Sequence, residues 1–272
     1  MSTPRTIQPC AFDFGAATDV GNARQNNEDA YGHFIENEVS LVFVVADGVG
    51  GVEGGEMASQ MAVEVTLSAY ENSPAAWGPG KRLARAVQQA NIEIHDRALI
   101  VPELRRMATT VTAVSISDGV LNAAHVGDCR LYLVRDGKIT QLTKDHTVAA
   151  RRARIGLLAK AEAKSHPDRG TLTRSVGPDL IVAVDRITTP LLDGDVVIAC
   201  SDGLYTTLED EHLSSYTKGL DARDACRALI EAANERGTED NLTASVVRII
   251  GPTPSGNLPP GWRARFRKLF GR

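Results

Sequence analysis

Acidic residues beside glycine or asparagine recur along the chain, and their type and spacing could support metal-assisted chemistry. They form five segments and two further Asp-Gly pairs: Asn27-Glu28-Asp29, Asp47-Gly48, Gly127-Asp128, Asp202-Gly203 and Glu239-Asp240-Asn241, then Asp118-Gly119 and Asp136-Gly137. Alternating strands flank the two pairs, a context typical of two-residue type I′ turns. We assign the pairs to hairpins and treat the five segments as candidates for chemistry.

Asp47 and Asp202 each follow an apolar strand, VFVVA and VVIAC-Ser, and each precedes glycine on the way to a helix. A strand that is apolar on both faces is buried, so its terminal carboxylate emerges at the rim of the core. A buried carboxylate needs a metal ion or a paired charge, and no lysine or arginine is near either residue in sequence. These two positions therefore favour metal binding.

Asp128 and Asp240 also lie at predicted strand ends, after Leu121–Val126 and before Leu242–Ile250. Several carboxylates meeting there would repel one another without a cation. Ligands that are all oxygen select hard ions such as Mg²⁺ or Mn²⁺ rather than zinc. We expect a metal cluster, and the alternative is that these residues only form turns. A nucleotide-binding loop at Gly48–Gly55 is disfavoured, because it lacks both GxGxxG spacing and a Walker lysine.

The elements that would position these acids are short strands and paired helices. Predicted strands are 11–16, 31–35, 39–46, 110–117, 120–126, 130–134, 138–142, 181–188, 196–200 and 242–250; predicted helices are 56–69, 81–98, 210–216 and 223–235. The polar, basic stretch 146–177 is predicted to be a surface flap. Runs of strands with helices grouped in pairs indicate an α+β layered domain rather than alternating βαβ units.

Composition is that of an ordinary globular protein of 272 residues, with 43% hydrophobic residues and a net charge of −4. No apolar run approaches the roughly 20 residues that span a bilayer, and residues 1–10 lack a signal-peptide core. We therefore expect a cytoplasmic protein. Its four cysteines are far apart and form no CxxC pair, which argues against a zinc site and a disulfide framework.

Charge divides the chain into a body, residues 1–250, and a tail, residues 251–272. The tail carries five basic and no acidic residues, so the body has a net charge of −9, which makes nucleic acid an unfavourable partner. Prolines mark a linker, and Trp262, Phe266, Leu269 and Phe270 have helical spacing. A basic amphipathic helix suits an anionic membrane surface or an acidic partner, and the alternative is a disordered or locally packed terminus.

With these residues assembled, the chain resembles the PPM (PP2C) family of metal-dependent phosphatases in its compact bacterial form. The matching segments run in order over about 240 residues: Thr18-Asp19-Val20-Gly21, Arg24, Asn27-Glu28-Asp29, Ala46-Asp47-Gly48-Val49-Gly50-Gly51, Gly55-Glu56, Thr109-Thr110, Val126-Gly127-Asp128-Cys129-Arg130, Ser201-Asp202-Gly203 and Asp240-Asn241. The resemblance implies a four-layer αββα sandwich, two antiparallel sheets flanked by helix pairs. It also implies a cluster of two Mn²⁺ or Mg²⁺ ions at one end.

The resemblance assigns a role to each candidate residue. Asp47 would bridge the two metals, the Gly48 carbonyl would join one of them, and Asp202 and Asp240 would complete the other. Glu28 would contact the centre directly or through water. A third, weaker site would use Asp128 and Asp202, and Arg24 would grip the substrate phosphate.

The implied mechanism is attack on phosphorus by metal-activated water, with the metals and Arg24 neutralising the developing charge. The chain departs from the bacterial pattern at Val52, where histidine is common, and at Cys129, where serine is common. His166 matches a flap histidine that could protonate the leaving group or orient water; a solvated loop histidine is the alternative. The four histidines 33, 95, 125 and 212 are assigned structural roles.

These observations predict an Mn²⁺- or Mg²⁺-dependent protein serine/threonine phosphatase that acts on phosphorylated proteins and opposes a bacterial serine/threonine kinase. The basic flap would attract phosphorylated peptides over an acidic centre, although a solvated loop explains it as well. Two alternatives stay open. One is a catalytically silent module that binds phosphoproteins; the other is an active enzyme dedicated to one regulatory protein.

Overall fold

Two antiparallel β-sheets stacked face to face form the centre of the chain. The computed structural model describes residues 11–36, 40–50, 52–74 and 76–251, so residues 252–272 of the predicted tail lie outside the described residues. One sheet has the order β1-β11-β10-β7-β8 and the other β2-β3-β5-β6-β9, with β4 paired to β3. The strands are β1 (Ala11–Asp19), β2 (Asp29–Glu36), β3 (Ser40–Val49), β4 (Ala108–Thr109), β5 (Val111–Ser117), β6 (Val120–Val126), β7 (Arg130–Arg135), β8 (Lys138–Gln141), β9 (Asp185–Pro190), β10 (Val196–Cys200) and β11 (Leu242–Ile250).

Helices cover the outer face of each sheet. The helices of the described residues are α1 (Val52–Glu71), α2 (Pro79–Ile100), α3 (Val148–Arg154), α4 (Lys160–Ser165), α5 (Asp202–Thr207), α6 (Asp210–Tyr216) and α7 (Ala222–Glu235), with short 3₁₀ turns at Pro102–Leu104 and Pro167–Gly170; α3 and α4 lie in the flap and not on a sheet. The helices α1 and α2 pack on the sheet that contains β3, and α5, α6 and α7 pack on the sheet that contains β11. The predicted αββα layering is confirmed. Among the described residues, no helix is long and apolar enough to cross a membrane.

The run 41–46 of β3 is apolar at every position because both of its faces are buried. Val42, Val44 and Ala46 face α1 and α2, whereas Leu41, Phe43 and Val45 face the other sheet. Both faces are therefore in a core, and full burial of each large side chain contributes about 1.5–3 kcal/mol. Asp47 follows this run, at the edge of both cores.

Both predicted hairpin turns are confirmed by their backbone angles. The central residues have positive φ in each turn: 50° and 69° at Asp118-Gly119, 51° and 74° at Asp136-Gly137. Two positive φ values define the type I′ turn, which matches the twist of the flanking strands.

The predicted strand at 181–188 is partly wrong, because the observed strand β9 is Asp185–Pro190. Residues 179–182 instead lie along α2. Asn91 Nδ2 donates to the carbonyls of Asp179 and Leu180 at 2.8 and 3.1 Å, and Val182 is buried in the α1–α2 core. The apolar run thus packs on a helix, and side chains rather than a neighbouring strand satisfy its backbone.

Candidate metal centre

Four of the predicted ligands lie at one end of the sandwich, each where a strand begins or ends. Asp47 lies near the end of β3, Asp128 follows β6, Asp202 is the first residue of α5 after β10, and Asp240 precedes β11. The strands β10 and β11 are paired, and a Cβ placed on Gly203 would lie 3.2 Å from the Cβ of Asp240. The sheet pairing therefore brings together acids that are far apart in sequence.

Two threonines hold the backbone of Asp47. The Asp47 N–H donates to Thr110 Oγ1 at 3.0 Å, and the Asp47 carbonyl accepts from Thr110 N and from Thr109 Oγ1, both at 2.8 Å. Both threonines are buried, so these bonds are shielded from water. The main chain that carries the central carboxylate is fixed by this contact.

Glycines bring α1 and Glu28 close to Asp47. A Cβ on Gly48 would lie 2.1 Å from the Gly55 carbonyl oxygen, and a Cβ on Gly55 would lie 2.2 Å from Glu28 Oε2. The Gly48 N–H also donates to the Glu28 carbonyl at 3.0 Å. A side chain at Gly48 would therefore meet the main chain of Gly55 and Glu28, whereas one at Gly55 would occupy the space of the Glu28 carboxylate.

The electrostatics of the cluster are those of a cation site. Burial, followed by the charges of Asp29, Asp202, Asp128 and Asp240, raises the pKa of Asp47 well above its ordinary value. Burial and the charge of Asp202 likewise raise the pKa of Asp128. For Asp202, burial and Asp240 raise the pKa to about 6, against a hydrogen bond with Asp47 that lowers it. A divalent ion would relieve this repulsion.

Arg24 contacts the cluster at Asp240. Its Nη2 donates to Asp240 Oδ2 at 2.9 Å, and its Nε donates to the Glu239 carbonyl at 3.4 Å. Half of the Arg24 side chain is exposed, at 51%. An arginine with spare donors thus lies at the open edge of the carboxylates, where an anion would approach.

Divalent ions fit this donor set, which consists of carboxylate and carbonyl oxygens and suits Mg²⁺ or Mn²⁺. Within the described ranges, no group of three or more histidine, cysteine or acidic side chains is arranged to hold a metal ion by itself. Mg²⁺ sites commonly keep several waters and use one or two carboxylates per ion, so a partial protein cage fits that chemistry. The Gly48 carbonyl and water would supply the remaining ligands.

A mechanism with a cysteine nucleophile does not fit the three cysteines of the described residues. Cys129, Cys200 and Cys226 are buried, and burial raises the pKa of Cys200 and of Cys226 to about 12. Burial also raises the pKa of the Cys129 thiol well above its ordinary value. Protonated thiols are poor nucleophiles, so these three residues do not provide a phosphocysteine route.

The sequence reasoning missed the roles of Asp29 and Asn241. Asp29 pairs in register with Asp47 and accepts a 2.6 Å hydrogen bond from Ser201 Oγ. Burial raises its pKa to about 7, against hydrogen bonds from Ser201 and Thr243. Asn241 accepts from Glu28 N–H at 2.8 Å and donates to two carbonyls of the 20–26 loop. The sequence could have indicated both roles, because the two residues belong to the acidic segments Asn27-Glu28-Asp29 and Glu239-Asp240-Asn241.

The flap contains two short helices, α3 and α4, that polarity alone did not predict. His166 lies at the end of α4, where its Nδ1 accepts from Asp168 N–H at 3.0 Å and its Nε2 is 3.4 Å from Arg152 Nη1. These contacts are all within the flap, so the structure does not join His166 to the carboxylates. His125 is buried and bonded to Thr112 and Lys144, and His95 is bonded to the Gly177 carbonyl.

Comparison with known proteins places these features in a family. The family profile described as protein phosphatase 2C matches residues 21–246. The chain is 32% identical over 239 residues to a serine/threonine phosphatase of Listeria innocua, covering 85% of this chain and 93% of the relative.

Solved structures give the same result. The serine/threonine phosphatase PstP/Ppp of Mycobacterium tuberculosis superposes with a TM-score of 0.80 at 31% identity, covering 88% of this chain and 99% of that one. The catalytic domain of PstP in complex with two manganese ions superposes with a TM-score of 0.79 at 29% identity, covering 89% of this chain and all of that one.

Proposed function

The chain belongs to the protein phosphatase 2C family, and we propose that its clustered carboxylates hold the two divalent ions with which it hydrolyses phosphoserine and phosphothreonine in proteins. The observation that carries the assignment is the convergence of Asp47, Asp128, Asp202 and Asp240 at one end of the sandwich, beside the half-exposed Arg24. Asp47 would bridge the two ions, and the Gly48 carbonyl would join one of them; a hydrogen bond links Asp47 to Asp202, and the Gly48 N–H donates to the Glu28 carbonyl. Asp202 and Asp240 complete the set.

When bound, the two ions supply Lewis acidity that polarises the phosphoryl group and lowers the pKa of water toward neutrality. The protein's part is positioning. Thr109 and Thr110 fix the Asp47 backbone, and Asn241 fixes the loop that carries Arg24 and Glu28. Arg24 exchanges its bond to Asp240 for the substrate phosphate, where its planar donors match two phosphate oxygens.

The assignment also gives His166 a role in proton transfer and Asp128 and Asp202 a third ion. The Nδ1 of His166 accepts a backbone N–H, which leaves Nε2, 3.4 Å from Arg152 Nη1, as the ring nitrogen that would carry a proton to the leaving group. That proton is available to a leaving group once the flap carries His166 to the substrate. For the third ion, the support is that Asp128 is buried and that the charge of Asp202 raises its pKa.

The substrates are phosphorylated proteins, and the phosphate donors for them are serine/threonine kinases. The enzyme therefore opposes such a kinase. The flap supports peptide binding because it carries exposed basic residues, Arg151, Arg152, Lys160 and Lys164. The tail at 251–272, by its basic amphipathic pattern, would hold the enzyme at an anionic membrane surface or an acidic partner.

The test is hydrolysis of a phosphothreonine peptide by the full chain, with Mn²⁺ and with EDTA. Asp202→Asn should lower kcat by about 10²-fold or more, because it removes a charged ligand from the centre. Asp136→Asn is the matched control, since asparagine suits its type I′ turn. No Mn²⁺-dependent turnover in a folded chain that binds phosphopeptide would instead indicate a silent binding module.

A further inference from the structure

Behind Asp128 and Asp202 lies a set of three side chains, Arg130, Asp145 and Tyr205, which we call the Arg130 cluster. The Arg130 Nη2 donates to Asp145 Oδ2 at 2.7 Å, and its Nε lies 3.2 and 3.1 Å from the two Asp145 carboxylate oxygens. The guanidinium carbon lies 3.6 Å from the centre of the Tyr205 ring. Both charged side chains are largely buried, at 16% and 13% exposure.

Each member is tied to a different element of the metal centre. Arg130 begins β7, two residues after Asp128, and Tyr205 is in the first turn of α5, three residues after Asp202. Asp145 lies at the entrance to the flap, where Gln141 Nε2 donates to it at 2.7 Å. The cluster therefore joins the loop of Asp128, the helix of Asp202 and the base of the flap.

The charges are arranged to keep Asp128 and Asp202 close. Arg130 lies two residues from Asp128 and against the ring of Tyr205, so it brings a largely buried positive charge next to the loop of Asp128 and the helix of Asp202. Asp145 and the ring of Tyr205 hold that guanidinium in place from two sides, since a cation over an aromatic face is attracted to the ring. This positive charge would offset part of the repulsion between the two carboxylates.

We propose that the Arg130 cluster is a positioning device that holds Asp128 and Asp202 at the separation divalent ions require, and so sets the affinity of the centre for metal. The proposal rests on the proposed function of these carboxylates. Partners behind metal ligands commonly change metal affinity by about 10- to 100-fold when they are replaced. None of the three side chains needs to touch substrate.

The test is calorimetric titration of the metal-stripped full chain with Mn²⁺, together with its melting temperature. Arg130→Lys and Asp145→Asn should raise the Kd of the weakest-bound Mn²⁺ about 10- to 100-fold. Tyr205→Leu should do the same because it removes the ring, whereas Tyr205→Phe keeps the ring and should leave the Kd within about twofold of wild type.

A second Arg–Asp pair on the same strand provides the control. Arg135 donates two hydrogen bonds to Asp195, and this pair lies at the other end of β7, about 16 Å from Arg130 at the strand rise. Asp195→Asn should lower the melting temperature and leave Mn²⁺ affinity unchanged.

The proposal is overturned if Arg130→Lys and Tyr205→Leu bind every Mn²⁺ with wild-type affinity while melting earlier, as Asp195→Asn does. These two milder variants decide the matter if Asp145→Asn does not fold. A wild-type chain that binds no Mn²⁺ would overturn the proposed function itself.

Discussion

Arg24 forms an ion pair with Asp240, which is itself a candidate metal ligand. Its 2.9 Å bond to Asp240 neutralises part of the carboxylate charge, and the arginine is half exposed to the space where phosphate would enter. The contact implies that Arg24 and the metal ions compete for the Asp240 carboxylate. The arginine weakens the carboxylate as a metal ligand, and it strengthens the site for an anion.

Replacing Arg24 with alanine should separate these two effects. The kcat/KM for a phosphothreonine peptide should fall about 10²- to 10³-fold, the usual loss when a positioned donor to developing charge is removed. Mn²⁺ affinity, measured by calorimetry, should stay equal or rise, because Asp240 loses its competitor. The control is Arg227→Ala, which removes an exposed arginine paired with Asp224 on α7. A kcat/KM within twofold of wild type for Arg24→Ala would contradict the role.

At the residue scale, the sequence predicted the positions of Asp47, Asp128, Asp202 and Asp240 because each adjoins an apolar strand. The burial of Asp29 was not predictable in the same way. It depends on the pairing of Asp29 with Asp47 in the β2–β3 register and on Ser201 from another sheet. Neither contact can be predicted from the residues that neighbour Asp29 in the sequence.

The start of α1 shows how an element serves the centre. Gly54 and Gly55 are adjacent in the same helix, yet their surroundings differ. A Cβ on Gly54 would meet only Met107, at 3.5 Å, which is ordinary contact, whereas a Cβ on Gly55 would lie 2.2 Å from Glu28 Oε2 and 3.1 Å from the Gly48 carbonyl carbon. The atom nearest Gly55 is the end of a flexible side chain, so the fold can adjust by moving the Glu28 carboxylate.

Gly55→Ala should therefore leave a folded protein with a displaced Glu28, and kcat/KM should fall about 10-fold or more. Gly54→Ala is the matched control and should keep wild-type activity, with stability raised by up to about 1 kcal/mol from alanine's helix propensity. Kinetics on a phosphothreonine peptide and urea unfolding of both variants provide the comparison. Equal activity in the two variants would show that the Gly55 contact does not matter.

Elements were predicted well where periodicity and turn chemistry agreed. The strands β6, β10 and β11 and the helix α6 have the bounds that the sequence predicted. The six-residue helix α5 was missed because it is too short to show helical periodicity, and the run 181–184 was misassigned because its contacts are with α2. Neither error concerns the ends of the strands that carry the acids.

At the scale of the whole molecule, aspartates that repel one another are buried together at one end of the sandwich. The sandwich closes at one end around five aspartates, and burial raises the pKa of Asp29 to about 7 and that of Asp202 to about 6. Both values lie above the ordinary 3.8, so the folded, metal-free chain binds more protons than the unfolded chain between about pH 4 and pH 7. Its stability should accordingly fall as pH rises through that range.

Metal binding should reverse the loss of stability that occurs as pH rises. At 100 times its Kd, an Mn²⁺ ion that binds only the folded chain raises the free energy of unfolding by about 2.7 kcal/mol. Asp202→Asn should melt at a higher temperature than wild type without metal at pH 8, since it removes one repelling charge, and should gain less from Mn²⁺. Thermal unfolding with Mn²⁺ and with EDTA measures both, with Asp136→Asn as control. A metal-free Asp202→Asn that is less stable than wild type would contradict the repulsion.

The most direct test of the metal centre is anomalous scattering from crystals of the full chain grown with Mn²⁺. The assignment predicts two strong peaks about 3.5–4 Å apart, bridged by Asp47, with Asp202 and Asp240 bound to one of them and the Gly48 carbonyl to the other. It would be contradicted if no peak lay within bonding distance of Asp47, or if Mn²⁺ bound elsewhere while these carboxylates stayed free.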